Sequence, residues 1–414
     1  MERRRVVVTG LGAVTPVGID VASSWEALLN GRSGVGPITH FDAAAFDVHF
    51  AAEVKGFDAT KYVKPNEVRK HDPFTLFGLA GAEMALQDAR LNLAAIDLTR
   101  AGVLLGSGIG GLPEIEAQHR TLMERGPGRV SPFLIPKMML NAVAGQISIR
   151  FGLKGPNFTC ASACASGSHA LMTALRIIQY GDADVMVTGG TEAATTPLGL
   201  AGFCSLRALS TRNDEPERAS RPFDKMRDGF VMGEGAGVLV FEELSHALRR
   251  NAPIYCEVLG AAATGDAHHI TQPSPDGEGA VRAMKVALKD ARLTPDQVDY
   301  VNAHGTSTHY NDITETKAIK AVFGERARKL AVSSTKSMIG HLLGAAGGVG
   351  TLVAALSVRH DLVHPTANYE VPDPECDLDY VPGEARATTV RAAIANSFGF
   401  GGHNACFVVG KFSG

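Results

Sequence analysis

Two cysteines four residues apart, Cys160 and Cys164, lie in TCASACASGSHA (159–170), among residues with little side-chain bulk. A sulfur with free space around it suits a nucleophile that must admit a substrate carbonyl. From Ala165 onward the spacing of Leu171, Ala174, Leu175 and Ile178 predicts a helix, with Gly181 as its C-terminal cap. Cys164 then falls at the helix N-terminus, where unpaired N–H groups and the helix dipole favour a thiolate. Cys160 falls in the strand or loop that approaches it. Small neighbours also let backbone N–H groups face a substrate oxygen. The competing reading is that both are buried small hydrophobes, as free cysteines often are.

Three further segments carry groups able to work with a thiol. NAHGTSTHYNDITE (302–315) delivers His304 to a glycine-flanked corner after the strand pattern VDYV, with a helix expected from Asn311 or Asp312. SSTKSMIGHLLGAAGG (333–348) places Lys336 and His341 at another strand-to-helix passage. NSFGFGGHN (396–404) sets Phe398 and Phe400 in a glycine loop, either a hydrophobic element that moves or a tight turn with a core aromatic. Each also has a plain reading as a capped turn or a solvated loop. The spacing of His304, His309 and His341 matches no familiar zinc signature. GSGIGG (106–111) satisfies the G-x-G-x-x-G pattern. A dinucleotide site also needs a second strand ending in an acid about 20 residues on; TLMERGPGRV is no strand, and that reading is rejected.

The elements that must position these groups are short β-branched runs alternating with helical patterns. RVVVTG (5–10), GVLLGSG (102–108), DVMVTGG (184–190) and GVLVFEE (237–243) read as strands. So do IYCEVLGAAATGD (254–266), VDYVNAHG (298–305), KLAVSSTK (329–336) and NACFVVG (404–410). SSWEALLNG (23–31), FGLAGAEMALQDARL (77–91) and GAVRAMKVALKDARL (279–293) read as helices. The alternation implies an α/β protein with largely parallel, buried sheets covered by helices. AEMALQDARL (82–91) and AMKVALKDARL (283–293) hint at a duplication, with residues 1–250 and 251–414 as the two units and a seam at RRNAP.

The totals exclude several classes. A chain of 414 residues exceeds one simple core. A net charge of -3 gives no global basic field for nucleic acid or anionic membrane. No apolar run approaches the roughly 18 residues a membrane span needs, and the apolar stretch of MERRRVVVTG is too short for a signal peptide. Six cysteines in so long a chain are no disulfide framework, and a reducing cytoplasm is their simplest setting.

Taken together and in this order, the segments resemble the β-ketoacyl-acyl carrier protein synthases, the condensing enzymes of fatty-acid synthesis. The resemblance runs nearly end to end, through RVVVTGLGAVTPVG, TEAATTPL, RPFDKMRDGFVMGEGAG, DAHHIT and NSFGFGGHN. The long-chain elongating subgroup is nearest. The resemblance implies the thiolase fold, two duplicated α/β halves in a five-layered α-β-α-β-α arrangement.

It also implies roles. Cys164 matches the acylated nucleophile, with Ser162 where relatives carry Thr, and Cys160 is left as structural. His304 and His341 match the two catalytic histidines and Lys336 the active-site lysine. Glu315 matches its charge partner, with Asp312 a supporting carboxylate. Phe400 matches the gating phenylalanine whose N–H joins that of Cys164 in the oxyanion hole, and Phe398 shares that loop. Thr306 and Thr308 match the hydroxyls that hold a phosphopantetheine arm, and Ile109 a residue of the acyl pocket. Lys64, Arg69, Lys70, Arg129 and Arg207 are candidates for docking an acidic acyl carrier protein. His309 and His403 stand where many relatives have Pro and Thr. A homodimer is implied; no metal or redox cofactor is required, the phosphopantetheine being carried by the carrier protein.

Three other readings compete. A polyketide or priming-type synthase would differ in the pocket around Ile109. A non-catalytic chain-length partner would lack the nucleophile, and Cys164 is intact. A cysteine hydrolase needs one histidine and an open water path, whereas two histidines with a lysine suit decarboxylation.

Overall fold

The computed structural model describes residues 3–414. Its main sheet is built from β1 (Val6–Val14), β2 (Ala101–Gly106), β3 (Asn157–Cys160), β4 (Val185–Glu192), β5 (Gly235–Glu243), β6 (Cys256–Gly265), β7 (Tyr300–Asn302), β8 (Ala331–Ser333), β9 (Ala392–Gly399) and β10 (His403–Gly410). The order across the sheet is β8-β7-β9-β10-β6-β1-β5-β4-β2-β3. Cut between β6 and β1, the two halves read identically from their outer edges: third strand, second, fourth, fifth, first. The orientations repeat as well, parallel for the first two pairings and antiparallel for the next two, in each half. Within the sheet, Val6–Val8 and Cys256–Val258 join the halves, antiparallel.

The expectation of largely parallel sheets is therefore corrected to a mixed sheet. Strands buried on both faces read as unbroken apolar runs, which carry no sign of direction. What reverses β10 against β9 is a tight turn at Gly401 and Gly402, both with positive φ (84° and 72°). The start of NSFGFGGHN thus belongs to a strand rather than a free loop.

Helices fill three layers. α1 (Pro73–Asp88) and α2 (Ala142–Phe151) cover the outer face of the N-terminal half. α3 (Ser166–Tyr180) lies between the halves, touching strands of both. α4 (Glu278–Ala291) and α5 (His309–Phe323) cover the outer face of the C-terminal half, and α6 (Ala346–His360) joins α3 in the middle layer. The result is the α-β-α-β-α stack. α4 shows the underlying rule: Ala280, Ala283, Met284, Ala287 and Leu288 are buried at helical spacing, while Lys285 and Lys289 face water. Among the described residues no helix is long and apolar enough to cross a membrane.

Glycines bring the two halves together in the middle. A side chain on Gly190 of β4 would lie 2.5 Å from the carbonyl oxygen of Gly344, and one on Gly237 of β5 would lie 2.5 Å from the N–H of Val349. The stretch GAAGG that leads into α6 and forms its first turn can therefore sit directly on the N-terminal sheet. This contact carries His341 across to the half that holds Cys164.

Candidate active site

Cys164 occupies a tight turn between β3 and α3. Ala163 is held at φ 49°, a left-handed conformation that a residue with a Cβ adopts only when its surroundings enforce it. The enforcement comes from Ser166, whose Oγ accepts the Ser162 N–H at 2.9 Å and donates to the Ala163 carbonyl at 2.6 Å. The serines of this bare stretch are therefore braces. Ser168 extends the bracing to the other half through a buried 2.8 Å bond to Ser397 of β9.

α3 begins at Ser166, so Cys164 precedes the first helical residue by two positions. Burial pushes the Cys164 thiol up to about 11; the Lys336 charge and the N–H groups of Phe400 and Cys164 itself pull the other way without prevailing. The helix end does not produce a resting thiolate, which corrects the expectation from sequence. Gly399 lets the β9–β10 turn approach: a Cβ there would stand 3.0 Å from the Ser162 carbonyl and 3.2 Å from the Cys164 N–H. Two N–H groups, of Cys164 and Phe400, thus address the sulfur.

His304 follows β7 and His341 follows a short turn after β8, yet their rings lie 5.3 Å apart at 85°. Both are buried, at 2% and 3% exposure, and burial first, then the nearby Lys336 charge, holds both imidazoles well below the usual histidine range. They are neutral. The Leu343 N–H donates to His341 Nδ1 at 3.2 Å, so the proton of that ring sits on Nε2. Phe398 packs 5.8 Å from His304, and Phe230 packs 5.5 Å from His341, both edge-on.

Lys336, also buried, is brought down to about 8 by burial; Glu315, then Cys164 and Asp312, act to raise it. Glu315 does not make a contact ion pair with it. Its oxygens accept the N–H groups of His304 (2.8 Å) and Gly305 (2.7 Å) and the Asn396 amide (3.0 Å). The carboxylate reaches Lys336 only through its field, and its contacts hold the His304 turn to β9. Asp312 lies behind this layer, accepting the Phe223 N–H at 2.8 Å with the buried Arg227 guanidinium 3.7 Å away.

One cavity of 470 Å³ joins Cys164, His304 and His341. Ile109, Phe203, Leu206, Phe230, Leu343, Phe398 and Phe400 give it apolar walls; Thr306, Thr308 and His309 line it too, as does Arg207. The Thr306 and Thr308 hydroxyls are 2.9 Å apart. His309 is the first residue of α5, which starts earlier than expected because the Thr308 side chain caps it. Lys64, Arg69, Lys70 and Arg129 are exposed and lie outside the cavity wall. Cys160 ends β3 with its sulfur 4.0 Å from the Thr173 hydroxyl and does not line the cavity; His403 is exposed beside the β9–β10 turn.

The sequence reading passed over Glu192, which ends β4 fully buried. It accepts the Ser107 hydroxyl (2.8 Å) and the N–H groups of Gly108 (2.7 Å), Ile109 (3.1 Å), Gly110 (3.1 Å) and Gly344 (3.0 Å). Successive N–H groups in such a loop form an anion-binding nest. Here the chain's own carboxylate fills it. Residues Leu112–Arg125, where a dinucleotide fold requires strand, are helix. An acid directly after the strand pattern DVMVTGG and one threonine was the available signal for Glu192.

Comparison with known proteins agrees with this architecture and site. Residues 3–247 match the N-terminal domain of the β-ketoacyl synthases and residues 255–370 the C-terminal domain. The chain belongs to the β-ketoacyl synthase family, whose members are acyl-transferring condensing enzymes. Its full-length relatives include the 3-oxoacyl-[acyl-carrier-protein] synthase 2 of Synechocystis sp., 53% identical with 100% of this chain and 99% of the relative covered. The synthase 2 of Vibrio harveyi is 52% identical with 100% of both chains covered, and that of Coxiella burnetii 51% identical with 99% of both covered. Solved structures with the same fold include a β-ketoacyl synthase from Burkholderia phymatum (TM-score 0.92, 36% identity, covering 99% of this chain and 100% of that one). Another is a type II polyketide ketosynthase solved with its acyl-carrier protein (TM-score 0.91, 34% identity, again 99% and 100%).

Proposed function

We propose that the chain extends acyl groups by decarboxylative condensation of a malonyl unit on acyl carrier protein with an acyl chain held on Cys164, releasing carbon dioxide, in fatty-acid elongation. The observation that carries this reading is the meeting, in one cavity, of a buried thiol with two N–H donors at its sulfur and two neutral imidazoles from the other half of the sheet. Greater identity to the fatty-acid synthases 2 than to the polyketide ketosynthase favours elongation over polyketide assembly.

The Cys164 thiol attacks the carrier thioester, and the Cys164 and Phe400 N–H groups hold the tetrahedral oxyanion. The thiol proton passes to the departing pantetheine sulfur. Malonyl thioester then enters past Thr306 and Thr308, and neutral His304 and His341 donate to its carbonyl oxygen. Breaking the carboxyl C–C bond leaves its electron pair as an enolate held by those two donors. The enolate carbon attacks the acyl carbonyl, and collapse expels the Cys164 thiolate, which takes a proton from solvent, the one proton the cycle consumes. No step asks for a strong base, so neutral imidazoles suffice. Lys336 sets the field around these groups, and Glu315 and Asp312 support its charge. The acyl chain runs along Ile109.

Acidic acyl carrier protein docks on Arg207 at the cavity and on Lys64, Arg69, Lys70 and Arg129, so affinity falls with added salt. The phosphopantetheine arrives on the carrier, and the enzyme needs no cofactor of its own. Residues 1–250 and 251–414 are the two units, and the cytoplasm is the working compartment. The enzyme works as a homodimer. β3 is an edge strand with Phe158 exposed, and Met123, Phe133 and Ile135 are further exposed apolar residues of the N-terminal half; an uncovered apolar edge strand is a site for pairing with a second copy.

The test is peptide mapping after incubation with acyl carrier protein, together with release of labelled carbon dioxide from malonyl carrier. Acyl mass on the Cys164 peptide and loss of carbon dioxide release in a His304→Ala, His341→Ala double variant are expected. Acylation at Cys160, or undiminished release in the double variant, defeats the assignment.

A further inference from the structure

Glu192 sits where three parts of the site converge, and none of its partners is replaceable by an acceptor. All five are donors: Ser107 O–H and the N–H groups of Gly108, Ile109, Gly110 and Gly344. The first four belong to the loop that presents Ile109 to the cavity. The fifth belongs to the turn after His341. Leu343, immediately before Gly344, is held at φ 49°, a conformation costly for a side chain with a Cβ. Its own N–H is the one that fixes the His341 tautomer, at 3.2 Å from Nδ1. The strained residue is therefore bracketed by two bonds, one to His341 and one, through Gly344, to Glu192. Space confirms the closeness: a Cβ on Gly344 would stand 2.6 Å from a Glu192 oxygen.

We propose that Glu192 is a positioning residue of the condensation, clamping the Gly106–Gly110 loop to the Leu343–Gly344 turn so that the acyl-pocket wall at Ile109 and the Nε2-donating form of His341 are set together. The inference rests on the roles of Cys164 and His341 given above. Glu192 also acts on the reacting sulfur through its charge, opposing the thiolate that Lys336 favours. A carboxylate here thus does two things that a neutral brace does not. It accepts at every contact, and its charge adds to burial in disfavouring the thiolate.

The test uses the full-length protein with Glu192→Gln and Glu192→Asp. An amide nitrogen would face donors, so E192Q is expected to slow carbon dioxide release from malonyl carrier at least a hundredfold while acyl transfer to Cys164 stays within about tenfold. Its preference among acyl chain lengths should flatten, and iodoacetamide should alkylate Cys164 several-fold faster at pH 7. E192D, which keeps the acceptor, should recover part of the decarboxylation. A folded E192Q with wild-type decarboxylation, chain-length profile and alkylation rate overturns the proposal, as does E192Q in which both half-reactions fall equally and E192D rescues neither. If E192Q does not fold, Ser107→Ala removes one donor only; a decarboxylation defect larger than its acylation defect supports the clamp, and equal effects overturn it. The site assignment is judged on wild-type acylation at Cys164, and the clamp on the difference between variant and wild type, so the two fail separately.

Discussion

The imidazoles of His304 and His341 stand edge to face, 5.3 Å between centroids, although they follow different strands of the C-terminal half and point at a sulfur supplied by the N-terminal half. Both are buried without charge, and a single lysine, Lys336, lies close enough to act on both rings and on the Cys164 thiol.

Lys336 should change the reactivity of Cys164 only where the lysine is charged. With the thiol near 11 and the lysine near 8, the rate of iodoacetamide alkylation should rise with pH throughout the neutral range. In Lys336→Met the rate should fall several-fold at pH 7, because a cation favouring the thiolate is gone. At pH 10, where the lysine is already neutral, variant and wild type should agree. Equal rates at pH 7 would remove Lys336 from any electrostatic role.

Gly399→Ala probes the approach of the β9–β10 turn to Cys164. The new Cβ meets the Ser162 carbonyl and the Cys164 N–H at 3.0 and 3.2 Å, closer than side chains ordinarily pack. The turn must retreat and take the Phe400 N–H with it. Losing one oxyanion donor costs about a hundredfold or more in rate, so acylation should fall by roughly that factor at nearly unchanged melting temperature. Acylation kept at the wild-type rate would place the oxyanion donors elsewhere.

Glu315→Gln replaces a carboxylate that accepts from His304, Gly305 and Asn396. The amide turns one of these contacts into donor against donor, in a fully buried place. Such a mismatch costs about 1–3 kcal/mol. A lower unfolding free energy by denaturant titration and slower decarboxylation are expected, with acylation less affected. An unchanged stability would mean that the His304 turn does not depend on this carboxylate.

His364, packed against β7 and β8, gives a pH signature of its own. It is fully buried, with Nδ1 donating to the Pro365 carbonyl at 2.8 Å and Nε2 near the Tyr300 hydroxyl at 3.1 Å. Burial takes it down to about 4 from 6.5. Below pH 6.5 the unfolded chain binds a proton that the folded one refuses, so stability is full above 6.5 and is lost as pH falls toward 4. The loss amounts to about 3 kcal/mol over that window. His364→Gln should flatten this part of the stability curve, measured by denaturant unfolding between pH 4 and 7.

Phe158→Asp places a charge on the exposed edge strand β3. The proposed homodimer should dissociate at micromolar concentration, read as a mass half that of the wild type by light scattering. A variant that keeps the mass of a dimer would move the interface away from β3.

Much of this protein was legible in the order of its residues. The β-branched runs and the helical spacing of Ala283, Met284, Ala287 and Leu288 mark strands and helices because burial imposes its period on the chain. The small residues around Cys164 and the glycines of GAAGG announce close approach. What the sequence did not carry was direction and balance. Strand orientation in a sheet buried on both faces leaves no trace in an apolar run, and the mixed sheet came only with the fold. The charge state of Cys164 was likewise undecided by its place before a helix, since desolvation in the folded core outweighs the local N–H groups. Glu192 became visible only when β4, the Ile109 loop and the Leu343–Gly344 turn met around it. Local pattern fixes where an element can form, but a pKa or a buried carboxylate's partners depend on atoms that only tertiary packing brings near.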